Sequence, residues 1–169
     1  MKFVVKITLH SAKLNGYNEE ILEIALFDIW LSNEDRSANN PNLMFDMSKR
    51  NRIVPIDHQY IFNSSSLHNG ISTISFYDSI LYSPIIKSFL KKSDLKDKKL
   101  LDRIEKKYFN CIKICKNELD VIIKNVPENW NIEGKKTKVL IESQIFDDDW
   151  INNTWKTFIN FIQTLVNNY

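Results

Sequence analysis

The chain has 169 residues, of which 43% are hydrophobic, a size that suits one domain with a real core and is small for two. Its 23 basic and 21 acidic side chains nearly cancel, so the overall charge gives no argument for a nucleic-acid partner. The sequence contains neither the roughly eighteen uncharged apolar residues of a membrane span nor a signal-peptide pattern. We therefore expect a single cytoplasmic domain over residues 1–169, with no membrane and no nucleic acid among its partners.

The N-terminal part of the chain predicts a strand followed by a buried helix. Residues 3–9 are rich in β-branched side chains, which favour a strand, and turn residues follow them. Between residues 19 and 31 apolar side chains lie around most of the helix circumference, which indicates burial on most sides. Residues 1–18 are interpreted as a possible strand and linker. A polar loop over residues 32–42 ends the helix.

A β-hairpin and then a run of helices are predicted after this loop. Residues 43–45 and 52–56 flank the charged tetrapeptide 48–51, a pattern typical of a hairpin over residues 43–56. Apolar residues then recur at steps of three and four, which predicts helices, and Pro127 interrupts the series. The predicted helices span residues 72–82, 83–91, 94–124, 134–146 and 148–167. The sequence therefore predicts a mainly α fold with one small β-hairpin.

Three polar residues lie on loops at one end of the predicted hairpin. Asn40 follows Asp35 by five residues in DRSANN, and Asp57 follows the hairpin in PIDH. Kinases need an Asp that accepts the proton of the acceptor hydroxyl, an Asn five residues later that holds magnesium, and a second Asp that also binds the metal. Amide and carboxylate oxygens are hard ligands that suit Mg²⁺. The pattern indicates a site for Mg²⁺ and ATP, and spacing favours Asn40 over Asn39 or Asn42 as the amide ligand.

The run LFDIWLSNEDRSANNPNLM followed by IVPIDH resembles the catalytic core of the HipA-like serine/threonine kinases, over residues 19–62. The resemblance implies an α+β fold like the C-lobe of a protein kinase. It also implies that Asp35 is the catalytic base, that Arg36 is the cation of the catalytic loop, and that Asn40 and Asp57 bind Mg²⁺ and so contact ATP. A less specific likeness continues through FYDSIL and VPENW to the C-terminus.

Two departures from the family pattern bear on activity. Better-known members have His after the Asp-Arg pair, where this chain has Ser37. Only 34 residues precede Asp35, whereas kinases place a phosphate loop and a strand lysine farther upstream. Lys6 in VVKI is similar to that lysine, but no glycine-rich turn precedes it. We therefore expect that the N-lobe is absent, and that the chain is a truncated gene product, half of a split kinase or a remnant kept for binding.

Two functions of different class remain open on the sequence. The first is transfer of the γ-phosphate of ATP to Ser or Thr of a protein substrate, together with a separate N-lobe or an antitoxin-like protein, as in a toxin–antitoxin system. The alternative is a catalytically inactive, pseudokinase-like binding module. A third and weaker idea is nucleic-acid binding through the lysine runs, which are interpreted instead as solvated faces.

Other reactive side chains are interpreted as structural. Cys111 and Cys115 share one helix face without two further metal ligands in the nearby sequence, so ordinary half-buried thiols are expected. His58 is interpreted as a loop histidine that hydrogen-bonds to backbone, and His10 and His68 are assigned no role.

Overall fold

The computed structural model describes residues 4–6, 16–46, 52–64 and 67–168. Strands β1 (Val4–Lys6), β2 (Leu43–Asp46) and β3 (Arg52–Pro55) form an antiparallel sheet in the order β1-β2-β3. The helices are α1 (Asn18–Trp30), α2 (Pro84–Phe89), α3 (Lys92–Leu95), α4 (Lys98–Lys124), α5 (Gly134–Gln144) and α6 (Asp148–Asn167). The prediction of a mainly helical chain with a β-hairpin is therefore confirmed for the residues that are described.

The sheet contains one strand more than the predicted hairpin. The hairpin is the β2–β3 pair, in which Leu43 lies opposite Pro55 and Asp46 opposite Arg52. Its predicted charged tip lies outside the described residues. β1 pairs with the other edge of β2, with Val4 opposite Asp46. The N-terminal strand, expected as a separate remnant, thus joins the same sheet, because it satisfies backbone groups that β2 would otherwise leave unpaired.

Helix α1 is the centre of the core, as its apolar pattern predicted. It packs against α6, α4 and β3. Ile21, Leu22, Ala25 and Ile29 of α1 are fully buried. Each large aliphatic side chain buried in this way contributes about 1.5–3 kcal/mol. The loop that follows α1 therefore starts at a tightly packed part of the core.

The prediction of a helix over residues 72–82 is wrong. Two separate 3₁₀ turns, Phe76–Asp78 and Ile80–Tyr82, occupy this stretch. Ser79 lies between them with an extended backbone, and its hydroxyl accepts a hydrogen bond from the N–H of Leu81. A serine side chain that bonds to nearby backbone in this way competes with the helical hydrogen bond.

Capping residues set the starts of the two longest helices. The helix predicted from residue 94 begins at Lys98, because the Asp97 side chain accepts the N–H of Lys99 and caps it. Helix α6 begins where predicted, and the Asp147 side chain accepts the N–H of Trp150. No helix in the part of the chain that the structure describes is both long and apolar enough to cross a membrane.

Candidate active site

The loop between α1 and β2 folds around the carboxylate of Asp35. Asn40 donates from Nδ2 to Asp35 Oδ1 at 3.2 Å, and Asn42 donates from Nδ2 to Asp35 Oδ2 at 2.7 Å. The Asp35 N–H donates to Asn33 Oδ1 at 3.2 Å. Together these hydrogen bonds fix the direction in which the carboxylate points.

Asn40 and Asn42 differ in their surroundings. Asn42 is buried, its backbone is left-handed with φ 44°, and its carbonyl oxygen accepts the N–H of Ile56 at 2.9 Å. Asn40 is half-buried, and its amide nitrogen faces Asp35. That orientation turns Oδ1, the atom that a metal ion requires, away from the carboxylate. Asn42 Nδ2 faces Asp35 in the same way, so burial is what separates the two amides, and the half-buried Asn40 is the more accessible one. The spacing argument for Asn40 as the metal ligand stays a prediction.

Asp57 is held near the same loop by the hydrogen bonds of Ile56, the residue before it. The N–H of Ile56 bonds to Asn42, and the carbonyl of Ile56 accepts from Arg36 Nη1 at 3.0 Å. Asp57 follows with an exposed side chain and a left-handed backbone of φ 55°. The structure thus brings Asp35 and Asp57 to the same end of the sheet.

Arg36 lies inside the domain. Its side chain is 0% exposed, and its Nε lies 2.8 Å from Oδ2 and 3.1 Å from Oδ1 of Asp28. Its Nη1 donates to the carbonyls of Pro41 at 3.4 Å, Asn42 at 2.5 Å and Ile56 at 3.0 Å. One buried side chain therefore ties α1 to the loop and to the chain after β3. Through these contacts Arg36 holds the loop in place. The resemblance implied that Arg36 is the cation of the catalytic loop, and that role stays a prediction.

Asp28 was not among the site residues that the sequence predicted. It lies within the apolar helix α1, and besides Arg36 it accepts Asn33 Nδ2 at 2.9 Å. Burial raises the pKa of Asp28 to about 6, although Arg36 and Asn33 both favour the charged form. The available signal was a carboxylate in a helix that is apolar around most of its circumference, because a carboxylate is rarely buried without a partner.

The raised pKa of Asp28 predicts a pH-dependent stability. Between the ordinary value of 3.8 and about 6, the folded state binds more protons than the unfolded state. This group should therefore make the free energy of unfolding fall as the pH rises through that window. Urea unfolding of the wild type and of Asp28→Asn across the window measures the effect, since the variant lacks the titrating group. A wild type that gains stability relative to the variant as the pH rises would contradict the expectation.

His58 lies on a loop, as predicted, and of the two cysteines only Cys115 is half-buried as expected. His58 packs edge-on against Phe27 with ring centroids 5.9 Å apart. Burial, and then the charge of Arg36, lower the pKa of His58. Cys111 is exposed and Cys115 is half-buried, and burial raises the pKa of the Cys115 thiol.

The loop carries oxygen donors of the kind that Mg²⁺ prefers. Within the described ranges, no group of three or more His, Cys, Asp or Glu side chains is arranged to hold a metal ion. Asn40 and Asp57 offer one amide and one carboxylate, which leaves most of an octahedral Mg²⁺ shell for phosphate oxygens and water. If Mg²⁺ is bound there, phosphate oxygens and water would have to complete its shell.

Comparison with known proteins identifies a family. A family model described as HipA-like kinase matches residues 3–160. Comparisons with curated proteins and with solved structures returned no significant match. The matched range includes the sheet, helix α1, the loop around Asp35 and Asp57.

Proposed function

The chain belongs to the HipA-like kinase family, and on that premise we propose that it carries the catalytic loop of an ATP-dependent kinase that phosphorylates Ser or Thr of a protein substrate. The observation that carries this proposal is the arrangement around Asp35. Asn40 holds one oxygen of its carboxylate, and Ile56 bonds to Arg36 and Asn42 so that Asp57 follows at the same end of the sheet.

Asp35 is the proposed catalytic base. Its carboxylate is fixed by two amide donors and is only partly buried, so it can accept a hydrogen bond from an acceptor hydroxyl. Phosphoryl transfer depends mainly on positioning and charge neutralisation, and a carboxylate held in one orientation supplies the positioning. Arg36 contributes by holding the loop, through the contacts that bury it.

Asn40 and Asp57 are the proposed ligands of Mg²⁺. When bound, the ion would neutralise charge on the phosphate oxygens. Asn40 is half-buried and presents Oδ1 away from Asp35, and the Asp57 side chain is exposed. A neutral amide beside a single anion leaves room for the charged phosphates in the metal shell.

We also propose that a separate N-lobe or antitoxin-like protein encloses the nucleotide. The three loop residues would approach the phosphates from one side only. The three glycines of the sequence, at positions 16, 70 and 134, stand far apart, so they do not form a glycine-rich phosphate loop. We therefore expect the chain by itself to bind Mg-ATP weakly. The inactive binding module, as the alternative, would lack turnover even with the partner present.

Substitution of the two proposed ligands tests this site. Asn40→Ala and Asp57→Ala should each weaken magnesium-dependent ATP binding by at least about tenfold, because each removes a metal ligand. Titration calorimetry with ATP, in magnesium and again in a chelator, separates the metal-dependent part. Asn39→Ala is the matched control, since Asn39 is an exposed asparagine of the same loop. An equal loss of ATP affinity in Asn39→Ala, or ATP binding that does not depend on magnesium, would contradict the assignment of the ligands.

A further inference from the structure

The segment Ile61–Ser64, which follows Asp57, forms a left-handed turn. Phe62, Asn63 and Ser64 have φ values of 59°, 55° and 54°. This region is disfavoured for residues with a Cβ, and a run of non-glycine residues in it is unusual. Contacts outside the turn must therefore hold it in place.

Backbone hydrogen bonds tie the turn to the end of α1. The N–H of Phe62 donates to the carbonyl of Leu31 at 2.8 Å, and the N–H of Asn63 donates to the carbonyl of Ser32 at 3.0 Å. Carbonyls at the C-terminal end of a helix have no partner within the helix. The turn therefore caps α1 at the point where the loop to Asp35 begins.

Glu34, the residue before Asp35, holds the turn through its side chain. Its Oε1 accepts from Asn63 Nδ2 at 3.0 Å, and its Oε2 accepts from Ser64 Oγ at 3.3 Å. Its N–H also donates to the carbonyl of Tyr60 at 3.4 Å. Both oxygens of one carboxylate thus bind two consecutive left-handed residues.

Asn63 extends the connection to a later part of the chain. Its Oδ1 accepts the N–H of Ser72 at 2.8 Å, and the hydroxyl of Ser32 donates to the carbonyl of Ser72 at 2.8 Å. Residues 60–64 and Ser72 are therefore fastened at several points to the residues just before Asp35.

We propose that Glu34 is a positioning residue whose carboxylate holds the left-handed turn and thereby fixes Asp57 relative to the loop of Asp35 and Asn40. This inference rests on the proposed function, because the place of Asp57 affects activity only if the site binds metal and nucleotide. Without Glu34, the turn relaxes toward the right-handed conformation and separates from α1. Ile56 still anchors the chain before Asp57, but the chain after Asp57 loses its anchor, so the metal ligand is held from one side only.

Amide hydrogen exchange tests the contact itself. Glu34→Ala removes both acceptors, so exchange at Phe62, Asn63 and Ser72 should accelerate on the order of tenfold. Glu34→Gln should restore protection, because its amide oxygen accepts from Asn63 and its NH₂ donates to the Ser64 hydroxyl. Glu142→Ala is the control, since Glu142 is an exposed glutamate of α5 that pairs with Lys138. Unchanged exchange in Glu34→Ala would overturn the proposal.

Affinity for ATP tests the effect on the metal ligand. Glu34→Ala should weaken ATP binding on the order of tenfold in magnesium, as loss of a residue that orients a metal ligand does, and should leave binding in a chelator unchanged. Glu34→Gln should bind as the wild type does. Faster exchange without loss of magnesium-dependent affinity would overturn the positioning role. A wild type without magnesium-dependent binding would overturn the proposed function and the link to Asp57, whereas the exchange data alone decide whether Glu34 holds the turn.

Discussion

Asp35→Asn should lower phosphoryl transfer by about 10²–10⁴-fold, the range typical for loss of a general base. Asn40 and Asn42 donate to the two carboxylate oxygens. An asparagine at position 35 keeps the size of the side chain but loses one acceptor oxygen and cannot take a proton from the substrate hydroxyl. Transfer of labelled γ-phosphate to Ser or Thr, in the assembly that encloses the nucleotide and at saturating ATP, measures the loss.

Two comparisons make this result specific to Asp35. The Asp35→Asn protein should unfold at a denaturant concentration close to that of the wild type, because only about one hydrogen bond is lost, roughly 1 kcal/mol. Asn39→Ala, on the same loop, should transfer phosphate normally. If Asp35→Asn transfers phosphate as fast as the wild type, the catalytic assignment is wrong and the loop is a binding feature, as expected of the inactive module.

Arg36→Ala should destabilise the domain by about 3–5 kcal/mol, the usual cost of removing one partner from a buried ion pair. The substitution leaves the Asp28 carboxylate buried without its cation. It also leaves three carbonyls, those of Pro41, Asn42 and Ile56, without their shared donor. The midpoint and slope of urea unfolding give the change in free energy of unfolding.

An exposed arginine provides the matched control for Arg36. Arg52 has a side chain that is 54% exposed and lies 3.7 Å from Asp46. Surface pairs of this kind contribute about 0–1 kcal/mol, so Arg52→Ala should change stability far less. Similar losses in both variants would show that the interior contacts of Arg36 contribute little.

The sequence predicted those features that depend on local pattern. The spacing of Asp35 and Asn40 indicated the loop pair. The charged tetrapeptide 48–51, flanked by residues 43–45 and 52–56, indicated the hairpin that leads to Asp57. The acids before Trp150 indicated the start of α6, because a helix N-cap is determined by a few consecutive residues. In each case the residues that determine the structure are neighbours in the chain.

The sequence did not predict the polar contacts that form between distant segments. The apolar pattern of α1 indicated burial, but it did not show that Asp28 lies inward to meet Arg36. The left-handed turn at Phe62, Asn63 and Ser64 contains no glycine, the residue that would have indicated a positive φ from the sequence. Its conformation depends on Glu34, almost thirty residues earlier, and such a contact leaves no periodic signal.

Paramagnetic broadening by Mn²⁺ locates a metal–nucleotide complex directly on the protein, even when binding is weak. With ATP present and Mn²⁺ in place of Mg²⁺, we expect the strongest loss of amide signal at residues 35–40 and 56–58. The loss should disappear when ATP is omitted or when Asn40 and Asp57 are both replaced by alanine. Broadening centred on any other part of the chain, or unchanged by the double substitution, would contradict a magnesium–nucleotide site at Asp35, Asn40 and Asp57.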